Sequence, residues 1–478
     1  MLVFNVKYNV DRRYLLIVSL TTSFAAILTP LDSTIVSVSL PFISKSLRMS
    51  YIETIWVPLG YLIALTVLLL PLGRFSDIKG KKKLFTTGYL IFIIGTIMSG
   101  LSVNGLELDA WRIVQGIGAA FILSVGGAII TESYPSNERG KAFGIWSFSV
   151  YLGTTIGPFV GGIIVSITTW RFIFFVTAPL AIIGYILSQI YIKESKVRVN
   201  SSMDYIGSGL LIASLLLFIY GLTYGSFVGW NLLGMFSLTI GLILFVSFIL
   251  YESKIKDRAI LNISLLTNNI MFATGNFAAL LNYTGYFYLS FFISFYMQRI
   301  LGFSPLITSI ALISLSLSMV VFSPISGYLS DKIGSRFLAT FGMILIMIGM
   351  LLLIPLGLHA KLIDITERMI IIGLGMGIFS SPNTSAVMGS VTKDKLGVAS
   401  GTLNMMRFLG QSLSLSIASL IVSVYIPSKI LSSIFTGLNI SNISVSSQVF
   451  LFGLRRLYLI TSILIAIGAA LSFLRNKE

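Results

Sequence analysis

Three charged side chains lie inside long apolar stretches of this chain: Asp32, Arg112 and Arg407. Asp32 is the only acid clearly within such a run. Burial without a partner favours a neutral carboxylic acid, whereas a nearby cation favours the carboxylate, so a group of this kind can act as a proton switch. Arg112 begins about six residues into its own run, at a depth similar to that of Asp32 in the outer part of the first, so the two can meet. A static ion pair that fixes helix packing is the structural alternative. Bond-making chemistry has no comparable support. There is no cysteine, no nucleophile constellation and no metal-ligand cluster, and neither an enzyme nor a resident cofactor or metal is expected. Gly373-Leu374-Gly375-Met376-Gly377 sits within an apolar run and reads as a packing face. Gly140-Lys141 is followed by Ala142 and lacks the upstream glycine of a phosphate loop, so no nucleotide partner is expected.

A second set of side chains suits recognition. Gln115, Asn282, Tyr286, Asn404 and Arg407 place hydrogen-bonding groups within apolar runs. Polar groups kept from water need partners, so those facing a cavity are candidate substrate contacts and the others are interhelical hydrogen bonds. Aromatic neighbours such as Tyr283 would suit flat, apolar small molecules.

The elements that carry these residues are set by composition. The chain has 478 residues, is 55% apolar and only 10% charged, and its mean hydropathy is +0.94. Soluble domains carry roughly 25% charge, so an all-α polytopic membrane protein is expected. Apolar runs of spanning length fall near 14–38, 54–73, 84–103, 107–130, 142–166, 171–192, 205–224, 231–251, 270–297, 305–329, 337–358, 367–390, 398–425 and 456–474, fourteen in all. The run at 270–297, interrupted by Asn276 and Asn282, is the one expected to bend. With the amino terminus inside, inner segments hold more than twice as many Lys and Arg as outer ones, which places both termini in the cytoplasm of a plasma-membrane protein. The net charge of +16 is then mostly topology, and no basic segment is long enough to be a nucleic-acid-binding domain.

An internal repeat organises the runs. Gly73-Arg74-Phe75-Ser76-Asp77-Ile78-Lys79-Gly80-Lys81 is echoed by Gly327-Tyr328-Leu329-Ser330-Asp331-Lys332-Ile333-Gly334-Ser335. Arg112-x3-Gly116-x-Gly118 is loosely echoed by Arg368, Gly373 and Gly375, and Arg139 to Gly144 by Leu396 to Gly401, at nearly one offset. Two similar halves facing the same way follow, at 1–195 and 267–478, with an inserted helix pair at 196–266. The loops bearing Gly73, Asp77, Gly80 and Lys81, and Gly327, Asp331 and Gly334, are expected to gate: the aspartates can accept from helix amino termini or pair with bases, and the glycines permit tight turns. Gly153, Gly157 and Gly161 fall on one helix face, Gly162 beside them, and Pro158 removes a helix hydrogen bond, so this helix offers a smooth face on which a neighbour can rock.

Together these motifs resemble the major facilitator superfamily, and within it the fourteen-helix drug:proton antiporter branch. The carriers are Leu31-Asp32-Ser33-Thr34 through Leu40-Pro41, the Gly73 to Lys82 loop, Arg112 to Gly118, and Gly153-Thr154-Thr155-Ile156-Gly157-Pro158-Phe159-Val160-Gly161-Gly162. The resemblance spans the chain and implies a major facilitator fold of two six-helix halves, proton transfer involving Asp32 and Arg112, an exporter-type seal at the glycine motif, and the ninth run at a central cavity. Two departures stand out. Ile78 follows Asp77 where a basic residue is usual, so the local ion pair should be rearranged, and no membrane acid occupies the tenth or thirteenth run, which speaks against divalent organic cations as substrates. The expected function is export of small amphipathic compounds across the bilayer by proton antiport. The alternatives are a proton-linked importer of a nutrient or organic anion, favoured by Arg407, and more remotely a channel or membrane enzyme.

Overall fold

The computed structural model describes residues 12–135, 139–194, 203–228, 230–255, 259–392, 395–437 and 443–475. Among them every regular element is helical. In hydrocarbon a backbone must satisfy its own polar groups, and helices do so within one segment. In chain order they are α1 (Arg12–Ser46), α2 (Tyr51–Lys79), α3 (Lys81–Leu101), α4 (Gly105–Ser133), α5 (Arg139–Ile167), α6 (Phe172–Tyr191), α7 (Tyr205–Val228) and α8 (Leu232–Ile255). Then come α9 (Ile263–Asn268), α10 (Ile270–Tyr286), α11 (Leu289–Phe295), a π turn (Tyr296–Ile300), α12 (Pro305–Ile333), α13 (Ser335–Leu353), α14 (Leu362–Gly389), α15 (Leu396–Tyr425), α16 (Ser428–Thr436) and α17 (Ile443–Phe473).

Twelve of these helices are long and apolar enough to cross a membrane. The expected count of fourteen also included two runs outside that set. The 270–297 run is interrupted, but after Tyr286 and again at the π turn, while Asn276 and Asn282 both lie within continuous α10. The 367–390 run lies in one long helix, α14, whose apolar character is diluted by glycines and by Ser380-Ser381-Pro382-Asn383. Helix starts are locally encoded. Ser50 and Glu53 form a reciprocal capping box on α2, Glu53 Oε2 accepting from Ser50 N at 2.7 Å. Asn104 Oδ1 accepts from Glu107 N at 2.8 Å to cap α4, and Ser304 caps α12 ahead of Pro305.

Packing repeats across the chain. α1 packs on α5 and α6, α2 and α3 on α4, and α3 on α6; α10 packs on α15 and α17, α12 and α13 on α14, and α13 on α17. Each contact in the first set has its counterpart in the second. The two groups meet through α5 against α12, α2 against α15, and α1 against α11. The α7–α8 pair lies outside this scheme, with α7 resting on α2 and α15. Large apolar side chains stay exposed along α6 (Ile182, Ile183, Ile186) and α8 (Ile243, Val246, Leu250), as suits faces in contact with lipid. One end of the bundle gathers the start of α1, the end of α6, the α2–α3 and α12–α13 turns and the end of α17: Lys193 lies over the Tyr14 ring and Arg336 over Phe473.

Candidate functional site

Asp32 and Arg112 meet in the first helix group. Both are fully buried, and Arg112 Nη1 donates to Asp32 Oδ2 at 2.5 Å. Gln115 lies one helical turn after Arg112 on the same face of α4, and its Nε2 donates to Asp32 Oδ1 at 2.8 Å and to Thr96 Oγ1 at 2.7 Å. The loop of contacts closes through a hydrogen bond from Arg112 Nη1 to Gln115 Oε1. Arg112 Nε donates to Val57 O at 3.2 Å, and the guanidinium stands 4.5 Å from the Tyr61 ring centroid. Four helices thus hold one ion pair, and both carboxylate oxygens receive donors. A charged pair at this depth needs partners that offset its desolvation, and here only the buried Arg112 Nη2 is left without one. Protonating Asp32 would remove the charge that holds Arg112 Nη1. Gln115 was expected among the substrate contacts; the structure seals it here, with its amide engaged at both ends.

The glycine motif of α5 sets where Asp32 sits. A β-carbon on Gly157 would lie 2.0 Å from Thr34 Oγ1 and 2.8 Å from Leu31 O; one on Gly153, 2.4 Å from Ile27 O; one on Gly161, 2.9 Å from Ile35 O. The stripe is therefore the bed of α1 over the residues that flank Asp32. It faces its own helix group, and the neighbour that approaches it to backbone contact is α1. Contact with the other group falls to its neighbours. Gly162 lies against Ser309 and Pro305 O of α12. Pro158 has no N–H to give to Thr154 O, and Ser316 Oγ of α12 supplies the donor at 3.2 Å.

A second cluster lies at mid-depth, between the groups. Tyr151 of α5 shares a hydrogen bond with Ser380 Oγ of α14 at 2.8 Å. Tyr283 and Tyr286 of α10 stand with ring centroids 5.6 Å apart, in electrostatic reach of Arg407 on α15. Arg407 Nη2 donates to Thr384 Oγ1 at 2.6 Å, while its buried Nε has no acceptor. Asn282, on the same face as Tyr286 one turn earlier, is 0% exposed and neither its Oδ1 nor its Nδ2 has a partner. Tyr151, Tyr286, Thr384, Asn404 and Arg407 are all half-buried. Of the five expected recognition residues, Asn282, Tyr286, Asn404 and Arg407 thus lie on α10 and α15, the helices that build this cluster. Sequence reasoning missed Tyr151, Ser380 and Thr384, the partners that tie it together.

The two turn motifs repeat in detail. Gly80 N donates to Ser76 O at 3.1 Å and Gly334 N to Ser330 O at 2.9 Å. Ser76 Oγ donates to Gly73 O, and Ser330 Oγ to Gly327 O, each at 2.7 Å. Gly80 and Gly334 both take positive φ, 107° and 89°, a region that favours glycine. Asp77 pairs with Lys81 at 3.4 Å, and Lys81 reaches Glu132 at the end of α4 at 2.9 Å. The amino terminus of α3 takes its acid from Glu194, which accepts from Lys82 N and Lys83 N at 3.2 Å each. Of the two roles open to Asp77, a helix amino terminus or a basic partner, the structure shows the second, with Lys81. These links stay within the first helix group. The side chain of Asp331 lies outside the described residues. A β-carbon on Gly73 would meet nothing within 4 Å, whereas one on Gly327 would meet Ser381 Oγ at 2.6 Å.

The opposite end of the bundle is closed by an element read as loop. α16 inserts Phe435, fully buried, against Tyr51 at 4.7 Å and Phe295 at 4.1 Å between ring centroids. Ser44 Oγ donates to Phe435 O at 2.8 Å, Gln298 Nε2 to Val38 O at 3.0 Å, and Arg299 Nη2 to Pro41 O. The apolar spacing of Ile430, Leu431, Ile434 and Phe435 is the helical signal that could have revealed it.

Known proteins resemble the chain over most of its length. It is 30% identical over 401 residues to the riboflavin transporter RibZ of Clostridioides difficile, covering 83% of this chain and 86% of that one. It is 29% identical to the multidrug transporter protein MdtP of Bacillus subtilis, covering 86% and 76%. In structure it is similar to a bacterial homologue of the human lysosomal transporter Spinster in an inward-facing, unoccupied conformation, with a TM-score of 0.67 at 16% identity over 97% of both chains. The human organic anion transporter MFSD10 superposes with a TM-score of 0.62 at 16% identity, over 96% of this chain and 99% of that one. The model of the Major Facilitator Superfamily matches residues 22–415, and with the repeated helix packing this places the chain in that superfamily as a multi-pass membrane transporter.

Proposed function

We propose that this transporter exports small amphipathic compounds by proton antiport with alternating access, as a member of the fourteen-helix branch in which the two six-helix halves and the inserted pair α7–α8 occupy 1–195, 267–478 and 196–266. The observation that carries the reading is the Asp32–Arg112–Gln115 cluster, a single acid held by an ion pair and an amide beneath the helix whose bed is the α5 glycine motif. A proton arriving at Asp32 would release Arg112 and loosen the packing of α1 on α4. Links between the halves at Phe435, Arg299 and Ser316 would then open or close in turn. With basic residues concentrated at the end that carries both termini, that end faces the cytoplasm of a plasma-membrane protein. The closed end is then the outer one, so this conformation is occluded from outside.

Multidrug relatives such as MdtP support export. Import is the second reading, favoured by the similarity to a riboflavin transporter and by the positive charge of Arg407. Proteoliposomes with entrapped pyranine separate the two. Under an imposed pH gradient, export requires that an added substrate move opposite to the proton; movement of both in the same direction establishes import.

A further inference from the structure

We infer that the mid-depth cluster is a receptor for an aromatic monoanion, with Arg407 as its charge-bearing contact. This deepens the exporter reading by naming the substrate class of its cavity. The first observation is electrostatic. The helices α5, α10 and α15, which present Tyr151, Tyr283, Tyr286 and Arg407, carry no Asp or Glu anywhere along their length. α14, which adds Ser380 and Thr384, has acids only at Asp364 and Glu367, in its first two turns at the far end from Ser380. Asp77 and Glu132 pair with Lys81 and Asp32 with Arg112, and none of these acids reaches Arg407. The charge nearest in kind, Asp32, is fully buried and already engaged by Arg112 and Gln115.

The second observation is an excess of donors. Arg407 spends one Nη2 hydrogen on the Thr384 hydroxyl and keeps a buried Nε–H without an acceptor. The fully buried Asn282 leaves its amide unpartnered on the face it shares with Tyr286. Buried polar groups are almost always satisfied, so the orphaned Nε–H of Arg407, on a guanidinium with no acid partner, marks where an acceptor is missing. A carboxylate supplies such an acceptor. The half-buried Tyr151 and Tyr286 and the neighbouring Tyr283 supply faces and edges for a flat ring attached to it. An organic cation would find the same rings but would be repelled by Arg407, with no carboxylate to offset it.

The test is equilibrium binding to the full-length protein in detergent, with three probes of one shape: 2-naphthoate, 2-naphthylmethanol and 2-naphthylmethylammonium. The expected order is naphthoate tightest, at least tenfold tighter than the ammonium compound. Arg407→Gln should erase that preference and Arg407→Lys should retain most of it, with gel filtration confirming that each variant is folded. Equal or tighter binding of the cation or the alcohol, no saturable binding of naphthoate, or a preference that survives Arg407→Gln would each overturn the inference. If Arg407→Gln does not fold, the wild-type series and Arg407→Lys still decide it. Binding at equilibrium depends on neither transport direction nor proton coupling, so failure of the exporter reading would show in proteoliposomes while leaving this result intact.

Discussion

Two arginines, Arg112 fully buried and Arg407 half-buried, stand in the two helix groups under different conditions. Arg112 has a carboxylate, an amide and a backbone carbonyl within hydrogen-bond distance and an aromatic ring beneath it. Arg407 has one hydroxyl, no acid, and a buried Nε without an acceptor. Around Arg112 the charge is balanced by a carboxylate of the chain itself, with only Nη2 left unpartnered, so a change in charge at Asp32 would act on contacts already in place. A site without its own acid is suited to wait for a guest. In the proposed function, coupling would lie on α1 and α4 and recognition on α10 and α15.

The contrast can be broken most forcefully at Asp32. Asp32→Asn keeps the shape but leaves Arg112 as an unpaired buried charge, which should cost about 3–5 kcal/mol; pairing it with Arg112→Gln should restore most of that. Thermal unfolding in detergent would reveal it, and a single variant as stable as wild type would mean that the pair is wet or dispensable. Next comes the bed of α1. Gly157→Val places carbon where Thr34 Oγ1 and Leu31 O now sit, and overpacking of this kind costs about 1–3 kcal/mol. Coupling should fall with stability, because the displaced backbone flanks Asp32. Gly73→Ala, whose β-carbon meets nothing within 4 Å, should stay within about 0.5 kcal/mol by the same assay.

Ser316→Ala should cost less than Gly157→Val and is more telling for the junction between halves. It strands Thr154 O, which Pro158 has already deprived of its helical donor, at a cost of about 1 kcal/mol. Spectroscopic distance measurements between labels on α5 and α12 should broaden; an unchanged distribution would show that the bond does not hold the halves together. Arg407→Gln should change stability little, within about 1 kcal/mol, since removing an unpaired charge offsets the lost bond to Thr384. A loss as large as that of Asp32→Asn would erase the distinction between the two arginines.

How much of this was readable beforehand depended on distance along the chain. Asp32 and Arg112 could be matched because membrane depth converts sequence position into height, and the run with Asn282 is interrupted as expected, though only after Tyr286. Gln115 was misplaced although its spacing from Arg112 puts it on the same face, because polarity was weighed without helix rotation. The glycine stripe was seen, but which helix would lie in it was a matter of packing between segments more than a hundred residues apart. The same holds for Glu194 on the amino terminus of α3. α16 was overlooked because nine residues between spans read as loop until Phe435 is seen to find Tyr51 and Phe295.

The claim that most of the account rests on is that Asp32 couples proton movement to transport. In proteoliposomes loaded with 2-naphthoate on one side, exchange of labelled for unlabelled compound and uphill accumulation driven by an imposed pH gradient can be measured on the same preparation. Asp32→Asn, combined with Arg112→Gln to keep the site neutral, should retain exchange and lose accumulation. Undiminished pH-driven accumulation by that variant would contradict the account and leave the Asp32–Arg112 pair a structural fixture.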